Sequence, residues 1–119
     1  MADNPIFHLA LADDWAGAFS TGDYRMSTRG VTLEQEGFIH CSSIEQVEAT
    51  ANRFYGDLVQ LVLLTIDPLL VGSEIRWEPP APGSDTLFPH IYGPLPIAAV
   101  NHTTMWMRAT GTPWSLDQL

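Results

Sequence analysis

Apolar and polar positions alternate or recur along the chain in a way that predicts strands broken by two helices. Ile6 to Leu9 (IFHL) follow Pro5 and read as a first strand, with Phe7 and Leu9 on one face and Ile6 and His8 on the other. From about Leu11 to Ser20 the residues Leu11, Trp15, Ala18 and Phe19 recur at the spacing of one helical stripe, and Gly22 is a plausible stop. Tyr24 to Leu33 are irregular and read as a connection lying across the domain. Gly37 to Ser42 (GFIHCS) read as a strand running directly into a helix. Ser42 with Glu45, or Ser43 with Gln46, fits a capping box at that helix's start, and Ile44, Val47, Ala51 and Phe54 or Tyr55 form its buried stripe.

Leu58 to Ile66 (LVQLVLLTI) are apolar on both faces, which predicts a central strand covered on both sides. Glu74 to Glu78 (EIRWE) alternate. Pro79 to Asp85 (PPAPGSD) form a loop, because prolines and a glycine exclude helix and central strand alike. Phe88 to Tyr92 (FPHIY) then read as a short strand whose proline points to a sheet edge or to the strand's first position. Ile97 to Met107 form the last strand, and Ala109 to Leu119 are a polar tail apart from Trp114 and Leu116. With no regular strand–helix–strand alternation, the pattern implies one α+β domain over residues 1–119 with a mixed or antiparallel sheet and about two helices.

Composition narrows the function classes. The chain of 119 residues is 45% hydrophobic and 16% charged, a globular profile. Fourteen acidic residues stand against five basic ones, all arginine, for a net charge of −9. Such a surface repels phosphate backbones and anionic membranes, so neither nucleic acid nor membrane is an expected partner; a small-molecule ligand is. The sequence leaves the oligomeric state open. The single Cys41 forms no internal disulfide. The N-terminal segment has no basic region followed by a long apolar run, so no leader is expected and the cytoplasm is the expected location.

Candidate chemistry centres on three strand histidines. By the pleat, His40 shares a face with Phe38 and Ser42, His90 shares one with Phe88 and Tyr92, and His8 faces away from Phe7 and Leu9. Polar groups fixed on strands beside aromatic rings are what an apolar-walled pocket needs, although buried histidines also serve as hydrogen-bonded structural residues. Cys41 follows His40, but adjacent strand residues point to opposite faces, so an inert buried thiol is the expectation. Three histidines could ligate a metal, yet no close pair such as H-x-H or H-E-x-x-H occurs and no metal is assigned. Glu78 is a candidate acid or base near a histidine, Trp77 stands at the edge of the proline-rich loop, and the helix after Ser42 offers free N–H groups beside His40 to an anion.

The ordered strings IFHLA, EGFIHCS, ANRFYG, LVLLTID, RWEPP and FPHIYGPLP, with Trp15, Gly22 and Tyr24 between the first two, closely resemble the bacterial domain-of-unknown-function family 952 from about Ile6 to Val100. That resemblance implies a distant likeness to the ADP-ribosyltransferase fold, in which a split, mostly antiparallel sheet holds NAD in a central cleft. By position, His8 resembles the first-strand residue of that cleft, His40 with Ser42 the second, and His90 the third, where active transferases carry a glutamate. The resemblance thus implies His8, His40 and His90 as catalytic candidates and Ser42, Trp77, Glu78 and Tyr92 as candidates for binding NAD or a related nucleotide, with cleavage or transfer at the nicotinamide–ribose bond. A module that holds a small metabolite or metal through the same histidines, without turnover, is the alternative.

Overall fold

The computed structural model describes residues 4–119; Met1, Ala2 and Asp3, part of the segment read above as lacking a leader, lie outside the described residues. In chain order the strands are β1 (Ile6–Ala10), β2 (Asp23–Tyr24), β3 (Met26–Thr28), β4 (Val31–Thr32), β5 (Ile39–His40), β6 (Gln60–Ile66), β7 (Ile75–Glu78), β8 (Phe88–Ile91), β9 (Leu95–Pro96) and β10 (Val100–Met107). The α-helices are α1 (Ala12–Ala18), α2 (Leu33–Glu36) and α3 (Ile44–Phe54).

Two three-stranded sheets organise the domain, in the orders β1-β6-β10 and β5-β8-β7, and every pairing is antiparallel. They meet at one bridged pair: Phe7 N–H donates to Ser42 O at 2.8 Å and Ser42 N–H to Phe7 O at 2.7 Å. The chain diverges on either side of that bridge, which leaves a seam between β1 and β5. Strand β3, with its hairpin partner β4, packs across the seam and touches both.

Strand β6 is central, as its unbroken apolar pattern requires. Val62, Leu64 and Ile66 enter a core shared with Ile39, Ile91, Tyr24 and Leu95, while Leu61 and Leu63 enter a second core with Val47, Ala51, Tyr55, Trp106 and Trp114. Helix α3 begins at the Ser43 and Gln46 capping box and lays Val47, Ala51 and Tyr55 on that second core. Its Ile44 and Phe54 are exposed, so Tyr55 rather than Phe54 completes the stripe.

Three expectations are corrected. The irregular segment after Tyr24 contains short strands and a third helix, α2, capped by Thr32 and Gln35; short, locally bonded pieces carry no periodicity to read. Helix α1 ends at Ala18, which leaves Phe19 exposed beyond it. Strand β8 is not an edge: it lies between β5 and β7 with Pro89 inside it. The proline fits because its carbonyl accepts from Cys41 N–H at 3.0 Å, so its missing N–H faces the same side, just where β5 ends. The tail, which the sequence pattern leaves unplaced, packs on the second core. Trp114 is buried, its indole N–H donates to Tyr55 O, and Asn52 grips its backbone from both sides.

Candidate functional site

The strand alternation that buries Ile39, Ile75 and Ile91 in the core turns the opposite face of the second sheet outward. That face carries Phe38, His40, His90, Tyr92, Arg76 and Glu78. His40 and His90 are direct cross-strand partners with ring centroids 5.2 Å apart, and Phe38 stacks on His90 at 4.1 Å. An outer cleft of about 560 Å³ opens between this face, the proline-rich loop and one flank of α3, where Gln46, Ala49, Thr50 and Arg53 recur at helical spacing. Toward the seam lies an inner chamber of about 170 Å³, lined by β1, β3 and the exit of β5. His40, Thr50 and Phe54 line both spaces and form the neck between them.

His90 is held in one orientation. Its Nδ1–H donates to Glu78 Oε1 at 2.8 Å, and the Tyr92 hydroxyl donates to the same oxygen. The Tyr92 bond and then the His90 bond hold the Glu78 carboxyl below its ordinary value, and the carboxylate pushes the Tyr92 phenol up. A carboxylate on Nδ1 fixes the tautomer with a lone pair on Nε2. That Nε2 is buried and has no partner among the described residues. The arrangement is that of a general base, an oriented imidazole with one nitrogen uncommitted.

His8 differs. It is 3% exposed, with Nδ1 bonded to His40 O at 2.5 Å and Nε2 to the Tyr24 hydroxyl at 2.9 Å. Burial lowers its pKa to about 4, so the ring is neutral and both nitrogens are committed inside the protein. Its visible work is to tie β1 to β5. His40 is partly exposed, its Nε2 lies 3.4 Å from Glu36 Oε1, and burial lowers its pKa with the Glu36 bond opposing. Ser42 lines the inner chamber and shares its hydroxyl with Thr50 at 3.3 Å.

Among the predicted site residues the structure therefore brings His40, His90, Glu78 and Tyr92 together on one sheet face, with His8 and Ser42 inboard at the seam. Trp77 is apart: it alternates with Arg76 and Glu78 on β7, half-exposed, and lines another groove with Pro5, Ile44 and Pro68. Cys41 is buried, and burial pushes its thiol up, away from thiolate chemistry. No group of three metal-ligating side chains converges among the described residues.

Two residues of the site carry no mark in the strand pattern. Ser27 sits where the β3–β4 register shifts, is fully buried, and its hydroxyl has no partner among the described residues. Arg53 is the other. Arg25, Arg29 and Arg76 are paired to acids and Arg108 to main-chain carbonyls, whereas Arg53 has no hydrogen bond or ion pair among the described residues and lies over the Phe54 ring at 5.3 Å. The recurrence of Gln46, Thr50 and Arg53 on one flank of α3 was the available signal for it.

Comparison with known proteins gives relatives of the same size. The crystal structure of protein CC0527 from Caulobacter crescentus superposes with a TM-score of 0.76 at 29% identity, covering 92% of this chain and 93% of that one. A double mutant of CC0527 gives the same values, and the solution NMR structure of CC0527 gives a TM-score of 0.76 at 29% identity over 100% of this chain and 97% of that one. No curated protein matches the chain significantly. A family profile described as "Protein of unknown function (DUF952)" matches residues 9–103, which takes in His40, Ser42, Trp77, Glu78, His90 and Tyr92 and begins one residue after His8. The chain belongs to this DUF952 family.

Proposed function

We propose that the protein binds NAD or a related nucleotide in the outer cleft and that His90 is the acid–base group for cleavage or transfer at the nicotinamide–ribose bond. The observation that carries this reading is the uncommitted, buried Nε2 of a histidine whose other nitrogen is fixed by Glu78. Two features support it. The cleft falls in the size range of small-molecule sites, and Arg53, the arginine without an ion pair or hydrogen bond among the described residues, stands in its wall to meet a pyrophosphate. Of the residues that the family resemblance assigns to a nucleotide cleft, His40 and His90 line this one, whereas His8 and Ser42 line the inner chamber.

In this chemistry an incoming water or acceptor hydroxyl forms a bond to the ribose C1′ as the C1′–N bond breaks. Nicotinamide leaves with the electron pair, and His90 Nε2 takes the proton of the hydroxyl. Glu78 stabilises the imidazolium so formed. His8 is a positioning residue that holds the His40 segment against β1.

A thermal-shift titration with NAD, ADP-ribose and nicotinamide tests the reading. A ligand at 100 times its dissociation constant adds roughly 2.7 kcal/mol, on the order of 10 °C for a domain of this size. The expected result is a shift of that order with NAD that is lost in Arg53→Ala, together with nicotinamide release that is lost in His90→Gln. No shift with any of the three overturns the reading. A shift without nicotinamide release, at any pH, leaves the module without turnover in its place.

A further inference from the structure

The inner chamber is lined by the apolar Phe7, Leu9 and Phe54, by the hydroxyl-bearing Ser27, Thr28, Ser42, Thr50 and Tyr55, and by His8, His40 and Cys41. Among the described residues, no acidic side chain, lysine or arginine lines it. Most of its polar side chains have hydrogen-bond partners. Thr28 bonds Tyr55 at 3.1 Å, Ser42 bonds Thr50 at 3.3 Å, Thr50 donates to Gln46 O at 3.1 Å, and His8 is committed at both nitrogens. Among the described residues that line the chamber, Ser27 Oγ is the buried side-chain oxygen left without a partner. It stands at the register shift of the β3–β4 hairpin, the kind of irregularity that re-aims a side chain. A buried hydroxyl without a partner costs stability, so its retention in this wall needs a reason.

We propose that the inner chamber is a binding site of its own, for a single neutral ring or compact alkyl group that carries one hydroxyl or carbonyl and hydrogen-bonds Ser27 Oγ. The size follows from the volume: an apolar cavity of about 150 Å³ holds a benzene molecule, and this chamber measures about 170 Å³. Neutrality follows from the lining. A carboxylate would leave water for a wall with no cation to meet it, at a cost one hydroxyl does not offset. The neck of His40, Thr50 and Phe54 puts this site next to the outer cleft, where Arg53, without an ion pair among the described residues, can meet a negative charge. The site goes beyond the nucleotide reading and does not depend on it.

Phenol and benzoate, which share a ring and differ in charge, are the probes. Each is titrated into the wild-type protein and the Ser27→Ala variant, followed by backbone and side-chain NMR shifts and by thermal unfolding. Phenol is expected to shift the resonances of Ser27, Thr28, Ser42 and Tyr55, and benzoate to bind at least about tenfold more weakly. Ser27→Ala should weaken phenol at least about fivefold while its own unfolding temperature stays equal or rises, since it loses only an unpaired hydroxyl. Phenol shifts confined to other residues, equal binding of benzoate, or full phenol affinity in Ser27→Ala would overturn the proposal and leave a chamber that holds solvent only. An NAD titration without effect would sink the nucleotide reading while leaving phenol binding, and this proposal, intact.

Discussion

His8 donates its Nδ1–H to the main-chain oxygen of His40 across the seam, at 2.5 Å, so the histidine of one sheet is a strut for the histidine of the other. One backbone-bridged pair, Phe7 with Ser42, joins the sheets beside it. Between them these contacts fix where β5 ends, and hence where the His40 ring enters the neck of the two cavities. Protonation would keep the Nδ1–H bond to His40 but place a charge in the buried seam and make Nε2 a donor toward Tyr24, and it is the burial of that charge that the fold opposes.

Stability should therefore depend on pH in a defined window. The folded pKa of His8 lies near 4, below the unfolded value of 6.5, with burial the main cause and the neighbouring His40 a smaller one. Between those values the unfolded chain binds the extra proton, so stability falls as pH drops from about 6.5 toward 4, by about 3 kcal/mol for this residue. His40 is shifted in the same direction and adds to the slope. Urea unfolding of wild type and His8→Gln at several pH values checks this: the variant should be less stable at pH 7 but show a shallower decline. Parallel curves for the two proteins would contradict the assignment.

Tyr24→Phe should expose the same strut from its other end. The substitution keeps the buried ring but removes the hydroxyl that donates to His8 Nε2 at 2.9 Å. An acceptor left buried and unpaired costs about 1–3 kcal/mol, which for a domain of this size lowers the midpoint of thermal unfolding by roughly 4–10 °C. Calorimetry of the variant reads it directly. An unchanged midpoint would mean that water replaces the phenol without loss.

What the sequence made legible, and what it hid, divides along physical lines. The two-faced apolar run of β6, the Ser43 and Gln46 cap of α3 and the aromatic–histidine face of β5 and β8 all follow from period and capping, which are local. The resemblance in order along the chain gave the family. Pairing partners are not local, so nothing in FPHIY revealed that β8 lies between two strands; the alternation of EIRWE did set Trp77 opposite Glu78, but the groove it lines is built by segments distant in sequence. Ser27 was invisible because its importance is an absence, a missing hydrogen bond at a register shift. The tail escaped for the opposite reason: its two apolar residues are too few to show a period, yet Trp114 is held by a helix distant in sequence.

Gly93→Ala should destabilise the turn that follows β8. The position needs glycine for space rather than for backbone freedom, since an added Cβ would lie 2.1 Å from Ser73 Oγ and 2.8 Å from Ser73 Cβ. Overpacking of this kind costs about 1–3 kcal/mol. A double-mutant cycle with Ser73→Gly should recover part of the loss, whereas Ser73→Ala, which keeps the Cβ, should recover less. Additive losses in the cycle would place the cost elsewhere.

Trp114→Ala is expected to be the most damaging single change outside the strands. The indole is buried edge-on to Trp106 at 5.1 Å, its N–H donates to Tyr55 O at 2.9 Å, and Arg108 lies over its ring. Truncating a buried tryptophan costs about 3–5 kcal/mol, a large share of the stability of a small domain. Trp114→Phe retains most of the ring volume but leaves the Tyr55 carbonyl without its donor, so an intermediate loss of about 1–3 kcal/mol is expected. Removing residues 109–119 altogether should be at least as severe as Trp114→Ala, because Asn52 and Glu48 of α3 would also lose their partners in the tail. Denaturant unfolding of the three proteins orders the losses. A truncated chain as stable as wild type would show that the tail decorates the second core rather than completing it.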